Sequence, residues 1–525
     1  MNYSIKLVIA ALITMGVFSC KTETESNNEL PPEPLEIVTG YDEPFRPQFH
    51  FSPPEKWMND PNGLVYHEGI YHLFYQYYPE DIVWGPMHWG HATSEDMIHW
   101  ENKPIALYPD ENGLIFSGSA VVDHNNTSGF GSLDNPPLVA AFTYHLMEGE
   151  KAGRNDFQTQ GIAYSLDNGE SWTKYEGNPV IGNDGIKDFR DPKVFWHQES
   201  SKWIMALVAG DHAKFYGSQD LKEWELLSEF GKEHGAHGGV WECPDLFKMK
   251  VEGSEEEKWV LLISINPGAP NGGSGTQYFV GDFDGISFTT DQTETKWLDY
   301  GMDNYAGVTY NNVPDDTRIF IGWMSNWNYA RDTPTEVWRS AMTLPRKLTL
   351  HKKENGHYLK NFPLAQFDRI SKGKVLFPRP VSLEEPFERE YDNLNKTELK
   401  FLANPNKNYA ITYSNADGEQ LCFQILGESS ELLLDRTRSG IVDFEESFGA
   451  AIQKQPFEPE GDMVRVRIIL DASSAEVFID EGKHVFTNQI FPKKPYTKLE
   501  ISGPADGFLE YLMIRDVNSI WHTEK

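Results

Sequence analysis

From about residue 45 to residue 350 no long stretch keeps the spacing of an amphipathic helix. Short runs alternate instead, as in Tyr71-His72-Leu73-Phe74-Tyr75-Gln76-Tyr77, with turn residues between them. That is the signature of strands and turns. A weak repeat runs through the region. Ser94-Glu95-Asp96-Met97-Ile98-His99-Trp100 returns as Ser165-Leu166-Asp167 followed by Trp172, and again as Ser218-Gln219-Asp220-Leu221-Lys222-Glu223-Trp224. Each copy follows two or three strand-like runs, so a Ser-x-Asp turn leading to tryptophan closes each four-stranded unit. Units of roughly 45 to 65 residues predict propeller blades. Five fit, near 57–105, 113–182, 189–232, 240–296 and 304–350. From 374 to 525 the pattern remains strand-like without the repeat, as in Val464-Arg465-Val466-Arg467-Ile468-Ile469-Leu470. It predicts a β-sandwich, with 351–373 as the connection. The fold class is therefore all-β, a propeller at 45–350 followed by a sandwich.

A net charge of −33 repels nucleic acid and anionic lipid but tolerates a neutral ligand. Aromatics make up 13% of the chain. Most of them fill a core, and the rest suit sugar rings, which stack on aromatic faces. At the N-terminus Lys6 precedes an apolar run, Leu7 to Phe18, too short for a comfortable membrane span. It ends in Val17-Phe18-Ser19-Cys20, which resembles a bacterial lipobox. The expectation is a signal peptide at 1–20, lipidation of Cys20, and a polar tether at 21–44. The protein would then be a cell-envelope lipoprotein of the outer membrane, facing the periplasm or the surface and touching membrane only through its lipid. Cys243 and Cys422 alone make no disulfide framework.

Three acids open three blades. Trp57-Met58-Asn59-Asp60-Pro61-Asn62-Gly63 begins the first, Arg190-Asp191-Pro192 the third and Trp241-Glu242-Cys243-Pro244-Asp245 the fourth. Alone, Asn-Asp-Pro-Asn-Gly reads as a turn, Arg-Asp-Pro as an ion-paired loop and Glu-Cys-Pro as a packing corner. In a propeller, however, the starts of the innermost strands converge on one mouth of the channel. Glycoside hydrolysis needs such a set: one carboxylate to attack or activate water, and a carboxylic acid to protonate the leaving oxygen. A third can bind hydroxyls near the developing positive charge.

With these segments in view the chain resembles glycoside hydrolase family 32, the invertase, inulinase and levanase group, over about residues 45–520. The resemblance also rests on Phe116-Ser117-Gly118-Ser119-Ala120, Trp89-Gly90-His91-Ala92-Thr93-Ser94, Leu434-Asp435-Arg436 and Leu470-Asp471-Ala472. It implies a five-bladed propeller with a sandwich and a retaining mechanism without cofactor. Asp60 would be the nucleophile, Glu242 the acid/base and Asp191 the transition-state stabiliser. The carboxyl groups of Asp60 and Glu242 would lie about 5–5.5 Å apart, and Glu242 would need a raised pKa. The terminal fructose would be bound by Asn59, Gln76, Trp84, Phe116, Ser117 and Arg190, with Tyr305 near the acid/base and Trp327 on the rim. Asn304 stands where many members carry an aromatic residue. Trp323 is expected in the core, and Cys243 beside Glu242.

The implied substrate is fructan or sucrose, cut at the terminal fructose. An endo-acting levanase, an inverting five-bladed enzyme acting on arabinose or xylose and a non-catalytic glycan-binding lipoprotein are the alternatives. His67, His72, His88 and His91 lack ligand spacing, so no metal is expected. The protein is expected to be a monomer or homodimer.

Overall fold

The computed structural model describes residues 40–354 and 356–521. The expected signal peptide, Cys20 and all but the end of the tether lie outside these residues.

Five antiparallel sheets follow one another in chain order. Blade I is Lys56–His67, Ile70–Tyr78, His88–Ser94 and Glu101–Leu107. Blade II is Leu114–Val122, Leu138–His145, Gln158–Ser165 and Thr173–Lys174. Blade III is Phe189–His197, Lys202–Ala209, Ala213–Ser218 and Glu225–Phe230. Blade IV is Val240–Lys250, Glu257–Asn266, Gly275–Phe283 and Phe288–Thr289. Blade V is Tyr305–Thr309, Arg318–Met324, Arg346–Lys353 and Gly356–Pro363. The ring is closed by Trp338–Arg339, which leaves blade V and pairs in parallel with Lys56 and Trp57 of blade I. Apolar side chains seal each joint between blades; Phe74 and Trp89 of blade I meet Phe142 and Tyr144 of blade II.

The repeated turn has a physical basis. After the third strand of blade I, Ser94 Oγ accepts the backbone N–H groups of Asp96 and Met97, at 3.2 and 2.8 Å. Asp96 then accepts those of Ile98 and His99. Ser218 and Asp220 make the same four bonds in blade III. The corner thus satisfies its own amides while the chain reverses. Blade IV carries a variant that the repeat did not reveal. Asp284 accepts the N–H groups of Ile286 and Ser287, Gly285 takes the positive φ, and Phe288 replaces the tryptophan.

The expected connection at 351–373 is corrected by the pairing. Gly356–Pro363 is the outer strand of blade V, bonded along Arg346–Lys353. After a short 3-10 turn, Ala365–Arg369, the strand Ser371–Leu376 already belongs to the sandwich. The sandwich stacks a seven-stranded sheet on a six-stranded one. Leu399, Phe401, Ile411, Phe423, Val466, Val477 and Ile501 are among the apolar residues between them.

Buried ion pairs join the two domains. Arg346 of blade V reaches Asp299 at 3.1 Å and Glu476 of the sandwich at 2.9 Å. His50, ahead of blade I, contacts Asp471 at 2.8 Å and Glu476 at 3.8 Å. Burial alone would lower the pKa of His50, but the two carboxylates hold it up at about 9, against an ordinary 6.5. A raised folded-state value means that the imidazolium favours the folded protein. This stabilisation is complete below pH 6.5 and is lost as the pH rises through about 9. Urea midpoints between pH 6 and 9.5 should therefore fall in the parent protein and fall less in His50→Gln.

Candidate active site

The innermost strands of all five blades share an irregularity at one end. Their pairing slips between Met58 and Pro61, Ile115 and Gly118, Arg190 and Lys193, Glu242 and Asp245, and Tyr305 and Val308. Such bulges bend the strand and re-aim the side chains beside them. Proline supplies part of the cause, because Pro61, Pro192 and Pro244 have no N–H to give to a ladder. Asp191, Cys243 and Ala306 take positive φ values of 67°, 47° and 52°, a strain concentrated where the channel opens. Asp60, Ser117, Asp191, Glu242 and Tyr305 are brought together there.

Asp60 is buried and held by neutral donors. Asn59 Nδ2 donates to Oδ1 at 3.0 Å and Ser117 Oγ to Oδ2 at 2.6 Å. The Cys243 thiol lies 3.6 Å from Oδ2. Asn59 is itself oriented by Trp57 Nε1, which donates to its carbonyl at 2.7 Å. Burial first, then the nearby Glu242 charge, pushes the Asp60 carboxyl above its ordinary range, and the three donors pull it back. Asp191 Oδ2 accepts the backbone N–H of Cys243 at 3.0 Å, and the same thiol stands 3.7 Å away. Burial, opposed by Arg190 and reinforced by Glu242 and Asp60, raises Asp191 to about 7. Cys243 therefore sits between Asp60 and Asp191, with its own pKa pushed up by burial and the surrounding carboxylates.

Glu242 is partly exposed and doubly held. Arg190 donates to Oε1 from Nε at 3.2 Å and from Nη2 at 3.0 Å. The Tyr305 hydroxyl donates to Oε2. Arg190 also reaches Asp188 at 2.8 Å. Burial works against its charge, but the carboxylates of Glu242, Asp191 and Asp188 raise its pKa.

Aromatic rings pack near these acids. Trp84 meets Phe116 edge-to-face at 6.0 Å. Trp327 lies over Trp57 at 6.0 Å and against the fully buried Trp323 at 4.9 Å. Gln76 is buried, donating to the Ile115 carbonyl at 3.0 Å, so it supports the strand that carries Phe116 and Ser117. Asn304 turns away to Asp299, at 3.0 Å.

The family model for the glycosyl hydrolases family 32 N-terminal domain matches residues 50–363, and that for the family 32 C terminal matches 374–510. The chain belongs to glycoside hydrolase family 32. Among its curated relatives is the levanase of Bacillus subtilis (strain 168), 45% identical over 92% of this chain and 72% of the relative. The extracellular exo-inulinase of Aspergillus niger is 42% identical over 92% of this chain and 96% of the relative. Among solved structures, the exo-inulinase of Aspergillus awamori superposes with a TM-score of 0.84 at 39% identity, over 92% of this chain and 100% of the other. The β-fructofuranosidase of Schwanniomyces occidentalis, complexed with fructosyl-erythritol, gives 0.82 at 34% identity, over 90% and 98%. This family 32 chain is thus a glycoside hydrolase built as a five-bladed propeller with a β-sandwich.

Two residues of this family 32 site escaped sequence reasoning. His145 stacks under Phe116, with ring centroids 4.2 Å apart and planes 9° from parallel. Its Nδ1 accepts from Gln158 at 3.2 Å, and Gln158 Oε1 accepts from the backbone of Phe189 at 2.8 Å. They are neighbours in the sheet of blade II: His145 pairs with Leu114, where the mouth begins, and Gln158 pairs with His145. Among the described residues no group of His, Cys, Asp and Glu could hold a metal.

The burial of Asp191 has a measurable consequence. Its carboxyl is raised to about 7, so ionising it weakens the folded state, increasingly as the pH rises from the ordinary aspartate value to about 7. Asp191→Asn should raise the melting temperature by a few degrees at pH 8 and change it little at pH 4.5, while turnover collapses.

Proposed function

We propose that the chain is a retaining β-fructofuranosidase that removes terminal fructose from fructans and also cuts sucrose. Hydrolysis of a β-fructofuranoside is the activity that the levanase, exo-inulinase and β-fructofuranosidase relatives have in common. The observation that carries the mechanism is the different holding of two acids at one mouth. Asp60 is bound by neutral donors and keeps an oxygen free of ion pairing for attack. Glu242 is carried by Arg190 and Tyr305 at the more open side.

In the first step Asp60 forms a bond to the anomeric carbon of fructose as the glycosidic carbon–oxygen bond breaks. Glu242 gives its proton to the departing oxygen. In the second step water attacks the same carbon, passes a proton to Glu242 and releases the Asp60 carboxylate. Two displacements at one carbon restore the β configuration. Asp191 binds ring hydroxyls and offsets the positive charge that develops at the anomeric centre. Asn59 and Ser117 fix the attacking carboxylate. Trp84, Phe116 and Trp327 wall the pocket, with Gln76 supporting Phe116 from behind. Arg190 orients Glu242. No step calls for a cofactor.

The Val17-Phe18-Ser19-Cys20 sequence supports anchoring of the mature enzyme to the outer membrane through lipidated Cys20. No helix among the described residues is long and apolar enough to cross a membrane. The name of the Aspergillus niger relative places that enzyme outside the cell. Foraging on neutral polysaccharide fits both an anchored enzyme and a strongly acidic one.

Product analysis on levan, inulin and sucrose tests the reading. Fructose as the sole early product from the polymers is expected. A ladder of oligomers would make the enzyme endo-acting, and no release at all would end the proposal. Proton NMR of the first product should show β-fructofuranose. Removing the Ser117 hydroxyl takes away a bond that favours ionised Asp60. In Ser117→Ala the acid limb of kcat/KM should therefore move to higher pH.

A further inference from the structure

The segment that delivers Tyr305 to the site is bound along its length by the sandwich. The backbone N–H groups of Tyr300 and Asp303 donate to the carbonyls of Val485 and Thr487, at 2.9 and 3.0 Å. The backbone N–H of Gln489 donates to Asp303 Oδ2 at 2.8 Å. Segment and sandwich strand therefore lie side by side, and a Cβ at Gly301 would fall 2.1 Å from the Thr487 backbone. At the end of this track sits Arg436, from the sandwich and wholly buried. Its Nη1 donates to Asp303 Oδ2 at 2.5 Å and to the Gln489 carbonyl at 3.0 Å. Its Nη2 donates to the Tyr329 hydroxyl at 2.7 Å, and that hydroxyl donates to Asp303 Oδ1 at 2.7 Å. Arg436 Nε donates to the Phe448 carbonyl at 3.1 Å, and the guanidinium lies 4.0 Å from the Phe448 ring centroid.

Two residues beyond Asp303 is Tyr305, whose hydroxyl is on Glu242. Two residues before Tyr329 is Trp327, on the pocket wall. One guanidinium thus ties down both chain segments that bring these rings to the mouth. Asn326 strengthens the tie by donating to the Met302 carbonyl at 2.8 Å. A planar fork with several fixed donors does this where a point charge could not.

We propose that Arg436, paired with Asp303 and Tyr329, is a positioning residue for proton transfer, so that the sandwich domain is part of the machinery that sets Glu242. The proposal rests on the acid/base reading of Glu242. Arg436 touches no substrate; it fixes where the Tyr305 hydroxyl stands, and with it the geometry of the Glu242 carboxyl. A misplacement at that distance from the chemistry costs rate more than binding.

The test uses the full chain with two substrates, sucrose and β-fructosyl fluoride, whose leaving group needs no proton. Arg436→Lys should lower kcat on sucrose by about tenfold to a hundredfold, with KM changed by less than about threefold. Compared by kcat/KM, which reports the first step alone, its effect on the fluoride should be much smaller than on sucrose, and the basic limb of the sucrose pH profile should shift. In a cycle with Tyr305→Phe, the double variant should be no slower than Tyr305→Phe alone, because both changes act through one hydroxyl. Full additivity, equal losses on both substrates, or a lowered melting temperature with unchanged kcat below it would reduce Arg436 to a brace and overturn the proposal. Should Arg436→Lys fail to fold, Tyr329→Phe, which deletes the hydroxyl shared by Arg436 and Asp303, carries the same comparison. Glu242→Ala separates the two levels. If it lowers kcat/KM, which reports the first step alone, as much for the fluoride as for sucrose, the acid/base reading fails whatever Arg436 does.

Discussion

Three carboxylates and one guanidinium crowd the end of a channel, two of the acids buried, and everything nearby is arranged around that charge. Burial and mutual repulsion push protons onto Asp60 and Asp191. Opposing this are Arg190, backbone and amide donors, and a thiol between two acids. The balance leaves unlike acids within one small volume. One is oriented by neutral bonds, one is held by a backbone amide, and one is shared between a cation and a phenol. Acid, base and nucleophile chemistry need such differences among groups that are otherwise chemically alike.

That charge cluster depends on five bulges. A regular ladder would point alternate side chains into the sheet joints and leave the mouth lined by whatever the period supplied. Breaking the register at this end of each innermost strand turns Asp60, Ser117, Asp191, Glu242 and Tyr305 toward a common point. The ring behind them, closed by Trp338–Arg339 on blade I, gives the bulges a rigid frame. The sandwich then holds the segment leading into the fifth bulge, so the two domains meet at the level of the chemistry as well as of the fold.

Much of this was legible in the sequence, for local reasons. The Ser-x-Asp corner is made by adjacent residues bonding their own backbone, so its pattern survives in the chain at 94–100 and 218–224. Where Asp284 and Gly285 perform the same reversal with other side chains, the pattern was invisible. The outer strand of blade V reads as a connection in the sequence because no such corner marks it. The acids could be found because short proline-containing motifs, Asp60-Pro61, Arg190-Asp191-Pro192 and Glu242-Cys243-Pro244, mark the starts of the blades. His145 under Phe116 and Arg436 behind Tyr305 could not, since each contact joins residues far apart in the chain and depends on how blades and sandwich pack.

The repeated corner also governs how the molecule meets others. Every blade ends in an outer strand with an unpaired edge, the element most apt to recruit another chain into a continuous sheet. The corners lead into edges that are poor templates. In blade II the outer strand has only two residues, Thr173–Lys174, and in blade IV the outer position is split between Phe288–Thr289 and Lys296–Trp297. Pro104 interrupts the donors of Glu101–Leu107 in blade I. Glu225 and Glu229 place acid along Glu225–Phe230 in blade III. In blade V the edge is covered, with Asn361 bonded to the Gly482 carbonyl at 3.0 Å and Phe362 packed on Phe478. With a net charge of −33 keeping molecules apart, such a protein can be crowded on a surface or into a narrow compartment without its sheets joining end to end.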